Sequence, residues 1–306
     1  MKLFFKRLAI FSSFAFLAFI IFEYLLRTFP NTYDVKQKLI TKNSSEIEVI
    51  FTGTSHVFSG IRPKGIDFNS VNLANNSQSL YYDIQIVKRN LDYLKNLKAV
   101  VFEINFFTFN YNLDLGPEYW RNIFYYQTFG IEPQTDKVNL VDFSRLYQLK
   151  RNEILNLLQS QEENELYYKE LGFGGGENMG KGPTQYAGDK KFNSFSEDYV
   201  NFKSAFLIEE LSNLLMQLTA RNVDVYFLQV PVSSYLADNI NDSNSLDSTK
   251  NILLGFKQKF GTKDLNYFED SRFSDDLFHD ADHLNCKGAE VFTKILNQKL
   301  KETIVE

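Results

Sequence analysis

The side chains of this sequence that could carry out nucleophilic and acid–base chemistry lie near its two ends. Close to the N-terminus, the run Phe51-Thr52-Gly53-Thr54-Ser55-His56 completes and follows a short apolar stretch that predicts a buried strand. A tight turn at Gly53 would expose the Ser55 hydroxyl at the carboxyl end of that strand, where the first N–H groups of a following helix face a developing anion. Serine is also a good helix N-cap, so this run alone is equally compatible with a structural role for Ser55.

Groups that could activate Ser55 occur in an acidic segment before the last predicted helix, which Asn285 is suited to cap. Asp280 and His283 are three residues apart there, so one tight turn can bring the carboxylate to the imidazole. A serine hydroxyl needs a base, and an imidazole base needs an acidic partner that fixes its tautomer. Asp282 is adjacent to His283, and we expect its side chain to point away and to bond backbone N–H groups near the start of the last helix. The two ends of the chain together predict nucleophilic serine chemistry.

A metal-dependent hydrolase is the alternative that these residues leave open. His279 and His283 are four residues apart, and Asp280, Asp282 and His56 could add ligands. Histidines at this spacing share a face only on a helix, whereas this segment is predicted to precede one. The serine interpretation is therefore favoured, and we expect no metal and no cofactor.

The composition excludes several other classes of protein. The 306 residues carry a formal net charge of −5 with a pI near 5.4, which argues against sequence-independent binding of nucleic acid. Cys286 is the single cysteine, so an internal disulfide and a cysteine-rich metal site are excluded. The glycine-rich segment 171–188 lacks the preceding strand and the Gly-Lys-Ser/Thr ending of a phosphate-binding loop.

The N-terminus predicts a membrane anchor. Residues 1–7 include three basic side chains, and residues 8–26 form an apolar run with one charge, Glu23, near its end. About twenty apolar residues span a bilayer as a helix, and basic residues before them keep the N-terminus in the cytoplasm. A cleaved signal peptide is the rival interpretation, but no small-residue cleavage site follows. We therefore expect a single-pass signal anchor in the inner (cytoplasmic) membrane behind a short cytoplasmic tail, a polar linker over 27–46, and an extracytoplasmic domain over 47–306.

The domain shows alternating strand and helix patterns. Strands are predicted over residues 47–52, 70–74, 98–104 and 223–230, and helices over 79–96, 203–220, 247–260 and 289–300. This alternation predicts an α/β fold, a three-layer sandwich with a mostly parallel sheet covered on both faces, whose sites form at the carboxyl ends of strands. Residues 106–200 fit the pattern poorly and are interpreted as an insertion, part helix and part loop, that could form a lid.

With Ser55, Asp280 and His283 in this order along the chain, the sequence resembles a known family, the SGNH/GDSL hydrolases. The resemblance is carried by a serine after the first strand and an Asp-x-x-His before the last helix, and it covers roughly residues 47–105 and 203–302. It implies that Ser55 is the nucleophile, His283 the base and Asp280 the residue that orients the base. The Gly-Thr-Ser-His start and the Asp-x-Asp-His-Leu-Asn-x-x-Gly end are most similar to a membrane-anchored branch that works beside membrane-bound O-acyltransferases, including alginate acetylation and wall D-alanylation proteins.

Two blocks differ from the pattern of that family. The usual Gly-Asp-Ser is Gly-Thr-Ser at 53–55, and residues 102–107 replace the Gly-x-Asn-Asp block after the third strand. Asn105 or Asn75 could supply the oxyanion-hole donor, the loss of which costs about 10²–10³ in rate. His56, directly after the serine, could contact an acyl donor or glycan, or it could make a structural hydrogen bond.

Residues and resemblance together predict an extracytoplasmic serine esterase or O-acyltransferase that acts on an acyl ester of a cell-surface glycan. Water as the acceptor gives hydrolysis, and a sugar hydroxyl gives transfer. A non-catalytic accessory protein that docks on a membrane-bound O-acyltransferase is the alternative, because the oxyanion-hole blocks are substituted. Covalent labelling of Ser55 would separate the two hypotheses.

Overall fold

A computed structural model of the protein describes residues 1–134, 144–149, 152, 154–155, 161–175, 179–198, 204–242 and 246–304. Its strands are β1 (Val49–Thr52), β2 (Ser70–Asn72), β3 (Ala99–Glu103), β4 (Asp224–Gln229) and β5 (Lys263–Asn266). Its α-helices are α1 (Lys2–Thr28), α2 (Thr32–Lys42), α3 (Ser55–Gly60), α4 (Leu80–Asn90), α5 (Asn122–Phe124), α6 (Arg145–Gln148), α7 (Gln161–Lys169), α8 (Gln185–Asp198), α9 (Ser204–Ala220), α10 (Ser234–Asp242), α11 (Leu246–Phe260) and α12 (Cys286–Thr303).

The five strands form one parallel sheet in the order β2-β1-β3-β4-β5. Every residue of β1 and β3 is buried, because a parallel sheet covered on both faces has no solvent-facing side. Four of the strands confirm the predicted ones. The sequence does not predict β5, since this edge strand reads Lys-Asp-Leu-Asn and Leu265 is the one buried residue in it.

Helices cover both faces of the sheet and confirm the predicted three-layer α/β sandwich. On one face, α4 and α9 pack with β-strand residues such as Ile50 and Val100. On the other face, α3 and α12 pack with Phe51 and Val101. Successive residues of one strand therefore enter opposite layers, as the pleat of a strand requires.

Residues 27–46, predicted as a linker, instead contain a helix that packs onto the domain. α2 begins after Asn31, whose side-chain oxygen accepts hydrogen bonds from the backbone N–H groups of Tyr33 at 2.9 Å and Asp34 at 3.1 Å. Ile40 is fully buried in the core. The few apolar residues of α2 are set among lysines and threonines, so their periodic signal in the sequence is too weak to predict a helix.

By length and composition, α1 could cross a membrane, and it is alone in this among the described helices. Its 27 residues extend about 40 Å. Apolar side chains such as Phe11 are exposed along most of its length. The last turn differs, because Leu26 is buried and the Glu23 carboxylate accepts hydrogen bonds from the backbone N–H groups of Arg145 at 3.0 Å and Leu146 at 3.1 Å. This turn belongs structurally to the domain.

The first part of the insertion over residues 106–200 belongs to the core of the domain and does not form a lid. Residues 106–131 pack into the core through a group of buried aromatic side chains. The predicted helical run 140–170 lies partly outside the described residues, and α6 and α7 are its described helices. The start of the glycine-rich segment lies at the sheet edge, where the Asn72 N–H donates to the Leu171 carbonyl at 2.9 Å. The insertion reaches the candidate site through α8.

Candidate active site

Ser55 lies at the carboxyl end of β1 as the first residue of α3. Gly53 makes the turn between them with a φ of +149°, and a Cβ at this position would collide with the Glu103 side chain. Thr54 caps α3: its hydroxyl accepts from the His56 N–H at 3.4 Å, and its own N–H donates to Glu103 at 2.5 Å. The turn places Ser55 beside a cavity at the carboxyl ends of the strands.

The segment before α12 forms the tight turn that the sequence predicts. Asp280 Oδ1 accepts hydrogen bonds from the backbone N–H groups of Asp282 at 3.1 Å and His283 at 2.9 Å, so the loop folds over the Asp280 carboxylate. Asn285 caps α12, its side-chain oxygen accepting from two backbone N–H groups at 3.0 Å. These local bonds fix the position of His283 just before the helix.

The structure brings the three predicted residues Ser55, His283 and Asp280 together. His283 Nε2 lies 2.8 Å from Ser55 Oγ, across 228 residues of sequence. His283 Nδ1 lies 3.0 Å and 3.1 Å from the two carboxylate oxygens of Asp280. In this order the imidazole can accept the hydroxyl proton at Nε2 while the carboxylate holds the N–H at Nδ1.

Asp282 does not take the position expected for it. We expected it to point away from His283 and bond backbone N–H groups, but its Oδ1 lies 3.3 Å from His283 Nδ1. Its Oδ2 lies 2.8 Å from His56 Nε2 and 2.9 Å from Lys191 Nζ. Asp280 has taken the backbone N–H groups of the turn, and Asp282 is directed inward, where it is buried. The imidazole base therefore has two carboxylate neighbours.

His56 is buried beside this pair, with both ring nitrogens next to carboxylates. Its Nδ1 lies 2.7 Å from Glu103 Oε1, and its Nε2 faces Asp282. Of the two roles considered for His56, substrate contact and a structural hydrogen bond, this geometry supports the second. Glu103, at the end of β3, also accepts from the Thr54 hydroxyl at 3.1 Å, so it joins two strand ends.

The charges around His283 determine its protonation. Burial opposes the charged imidazolium, but the Asp282 and Asp280 carboxylates outweigh it and raise the pKa of His283 to about 10. Burial also opposes a cation at His56, yet Glu103 and Asp282 raise the pKa of that ring above its ordinary value. Burial by itself would raise the pKa of Asp282, whereas the two neighbouring imidazolium rings hold it well below its usual range. At neutral pH the His283 ring is therefore a cation beside ionised carboxylates, and the surroundings of His56 favour its charged form.

The two predicted oxyanion-hole amides are hydrogen-bonded to other side chains. Asn105 Nδ2 donates to Glu103 Oε1 at 2.5 Å, and Asn75 Nδ2 donates to Thr32 Oγ1 at 3.1 Å. Neither side chain lines the cavity beside Ser55. Neither predicted amide is therefore among the groups that face the cavity.

The cavity beside Ser55 has a volume of about 140 Å³. The residues around it come from the start of α3, the loop before α4, the insertion and the far loop: Thr54, Ser55, His56, Ser77, Phe107, Tyr111, Pro117, Glu118, Lys191, Ser194, Phe195 and Asp282. Lys191, on α8, is a site residue that the sequence does not reveal. It lies in the insertion that the family resemblance does not cover, and its partner is in the distant loop before α12.

Among the described residues, His56, Asp282 and His283 form the one group of three whose candidate metal-ligand atoms lie within 4.8 Å of one another. His279, which the metal hypothesis pairs with His283, is not in that group. His56 Nε2 is hydrogen-bonded to Asp282, and His283 Nε2 is hydrogen-bonded to Ser55. The arrangement supports serine chemistry more directly than metal-dependent hydrolysis.

A scan against models of protein families gave no match, and neither did a search of curated proteins. Among solved structures, the chain matches the crystal structure at 2.00 Å resolution of a protein from Bacteroides fragilis described as a "putative acylhydrolase". The TM-score is 0.44 and the sequence identity 10%, over 88% of this chain and 97% of that chain. The likeness concerns the path of the chain, so the chemistry of the site rests on its own geometry.

Proposed function

We propose that this protein is a membrane-anchored extracytoplasmic serine esterase or O-acyltransferase that acts on an acyl ester of a cell-surface glycan. The observation that carries the proposal is the alignment of Ser55, His283 and Asp280, with 2.8 Å between Ser55 Oγ and His283 Nε2 and 3.0 Å between His283 Nδ1 and Asp280. A hydroxyl, an imidazole and a carboxylate in this order are what acyl transfer through a covalent intermediate requires. The choice of a glycan ester comes from the sequence resemblance.

The reaction divides into two steps at Ser55. In the first, Ser55 Oγ attacks the acyl carbonyl carbon as His283 Nε2 takes the hydroxyl proton, and the alcohol leaves with a proton returned by the imidazolium. In the second, water or a sugar hydroxyl attacks the acyl-serine, again through the imidazole, and regenerates the free hydroxyl. Asp280 holds the Nδ1–H of His283 and thereby aims Nε2 at the serine.

Protonation of His283 limits this chemistry near neutral pH. An imidazolium cannot accept a proton, and the neighbouring carboxylates raise the pKa of His283 to about 10 against the opposing effect of burial. At neutral pH only about one ring in a thousand is then neutral. We therefore expect the free enzyme to react faster in alkaline solution.

The anchoring part of the proposal is supported by how α1 ends. Besides its two backbone donors, the Glu23 carboxylate accepts the Ser144 hydroxyl at 3.0 Å, and the Arg145 guanidinium donates to the Leu26 carbonyl at 2.7 Å. Removal of α1 as a signal peptide would take Glu23 and Leu26 out of the folded domain and leave the buried Arg145 without that acceptor. Retention of the helix keeps these groups paired. After carbonate extraction of cell membranes, the full-length chain should remain in the pellet.

Two observations favour the accessory hypothesis. The amides of Asn75 and Asn105, expected to stabilise an oxyanion, are bonded elsewhere, and His283 is a cation at neutral pH. A protein with this site could hold an acyl-glycan for a membrane-bound O-acyltransferase without reacting with it.

Covalent labelling decides between the two functions. The full-length protein in detergent is exposed to an active-site serine phosphonate over a pH range from about 6 to 10.5, with the Ser55→Ala variant alongside. A serine enzyme gives an adduct of the wild type that forms faster at high pH and is absent from the variant. An unlabelled wild type at every pH contradicts the enzymatic function and favours the accessory one.

A further inference from the structure

Behind the proposed reacting groups, a second histidine bridges two carboxylates in the interior. His56 Nδ1 lies 2.7 Å from Glu103 Oε1, and Nε2 lies 2.8 Å from Asp282 Oδ2. The exposed fractions of these side chains are 6% for His56, 0% for Glu103 and 2% for Asp282. An imidazole can donate hydrogen bonds from both nitrogens only when it is protonated. The geometry therefore places a buried cation between two buried anions.

Asp282 connects this buried bridge to the proposed base. Its other oxygen, Oδ1, lies 3.3 Å from His283 Nδ1, and the rings of His56 and His283 have centroids 5.0 Å apart. A positive charge on His56 acts on the base in two ways. It holds the Asp282 carboxylate in place, and it offsets part of the negative charge that stabilises the protonated base.

We propose that His56 is a positioning residue of the Ser55 site. As an imidazolium held by Glu103, it fixes the Asp282 carboxylate against His283 and offsets part of that carboxylate's charge. Without it, two poorly compensated carboxylates would face Nδ1, and the base would keep its proton to a higher pH. This inference rests on the proposed function in taking His283 as the base of the reaction.

Three further charged groups face the bridge and the base. Lys191 on α8 approaches Asp282 Oδ2 at 2.9 Å, but its side chain is 34% exposed, so water and salt screen its charge. Asp280 faces the base from the loop, with 45% of its side chain exposed. Asp83 on α4 interacts with Glu103 from the opposite layer, and burial raises its pKa to about 7. Lys191 is therefore the partly exposed counterpart of His56 on the same carboxylate oxygen.

Histidine NMR measures this effect without any substrate. The full-length protein, in detergent micelles and with ¹⁵N-labelled histidine, gives signals from only three rings. In the wild type, both ring nitrogens of His56 should carry protons at pH 7. In His56→Gln, the neutral fraction of His283 at pH 10 should fall about fivefold, from about one half to about one tenth, the result of an upward shift of about one pH unit.

Two variants serve as controls for the His56→Gln measurement. Lys191→Gln removes the partly exposed cation from the same oxygen and should change the neutral fraction of His283 less than about twofold, because its charge is screened. His279→Gln makes the same replacement in the loop before α12 and should leave the titration of His283 unchanged. Protein stability, measured in parallel, shows which variants are folded.

Several outcomes would overturn the proposal. A neutral His56 ring in the wild type at pH 7 would by itself overturn the proposal, without any variant. The proposal is also overturned if the titration midpoint of His283 in His56→Gln is unchanged, or if it shifts no further than in Lys191→Gln. These readouts are independent of serine labelling, so an unlabelled wild type with the expected titrations contradicts the proposed function and shows only that the charge of His56 acts on His283.

Discussion

The polar groups of the candidate site fall into two regions that meet at the His283 ring. The outer region consists of Ser55 and Asp280, which border the cavity or the solvent, and Asp280 has 45% of its side chain exposed. The inner region consists of Asp282, His56 and Glu103, all almost fully buried. Groups of the outer region are positioned by short turns next to them in sequence. Groups of the inner region are positioned by one another, across two strand ends and the far loop.

This difference separates two requirements of an imidazole base. Its direction is set by contacts with the hydroxyl and with Asp280, which need only local backbone geometry. Its proton affinity is set by the total charge nearby, which in a buried site depends on remote residues. Variants of the outer region should therefore change reactivity, and variants of the inner region should change stability and pH dependence.

The largest effect is expected at the nucleophile. Ser55→Ala should lower the rate of ester turnover by about 10⁴-fold or more, because the acyl group then has no acceptor on the protein. The serine is the first residue of α3, and its replacement should change the free energy of unfolding by less than about 0.5 kcal/mol. Ester turnover and chemical denaturation measure the two quantities. Turnover that persists in this variant would place the reactive group outside the outer region.

Asp280 and Asp282 are a matched pair that tests the comparison directly. Asp280→Asn should reduce turnover by about 10²–10⁴, since the amide no longer fixes the Nδ1–H of His283, and it should keep most of the stability because the site is half exposed. Asp282→Asn should destabilise the fold by about 3–5 kcal/mol, because it leaves His56 and Lys191 without their shared buried carboxylate. Melting temperature and turnover are measured side by side. A reversed outcome, with Asp282 needed for turnover and Asp280 for stability, would exchange the roles of the two regions.

Reactivity and stability should depend on pH in opposite directions. The pKa of His283 is raised to about 10, so between about pH 6.5 and 10 the folded protein holds a proton that the unfolded chain has released. The stability contributed by this proton is complete below about pH 6.5 and is lost as the pH rises through about 10. Serine labelling should increase over the same interval, because the neutral base appears. Labelling rates and denaturation midpoints at pH 6, 8 and 10 would show the opposition, and parallel trends would contradict it.

The smallest effect on turnover and stability is expected at Thr54, which precedes Ser55 of the outer region and is bonded to Glu103 of the inner region. Thr54→Ala removes the cap of α3 and the hydroxyl contact to Glu103, and it should cost about 1 kcal/mol of stability with turnover reduced less than tenfold. Ser59→Ala, in the same helix, removes only a bond to the Ser55 carbonyl and serves as the control, with a change below about 0.5 kcal/mol. Equal losses in the two variants would mean that Thr54 does no more than any helix hydroxyl.

The outer region and the strands that carry it could be predicted because their determinants are close together in sequence. Buried strands appear as apolar runs, Gly53 marks the turn before Ser55, and an Asp three residues before a His suits one tight turn. Asn285 as the cap of α12 belongs to the same class of local signal. Each of these follows from the properties of a few neighbouring residues.

The inner region could not be predicted because its determinants are remote. Asp282 turns inward on account of His56 and Lys191, whose positions depend on β1, on α8 and on the packing between them. The amide of Asn105 could serve an oxyanion hole by its place in the sequence, but Glu103 two residues earlier takes its hydrogen bond. Which of several possible hydrogen-bond partners a buried side chain takes depends on distances in three dimensions. These distances cannot be read from the spacing of residues in the sequence.

The joint between α1 and the domain has a mechanical consequence for substrate access. Leu26 packs in the core, and Glu23 is bonded to the start of α6, so in the described chain the apolar helix is joined directly to the folded domain. With α1 in a bilayer, the mouth of the cavity is held at a set height and tilt above the lipid surface. The cavity then stays at that height above the membrane. Under the proposed function, an acyl ester must come to that height above the lipid to meet Ser55.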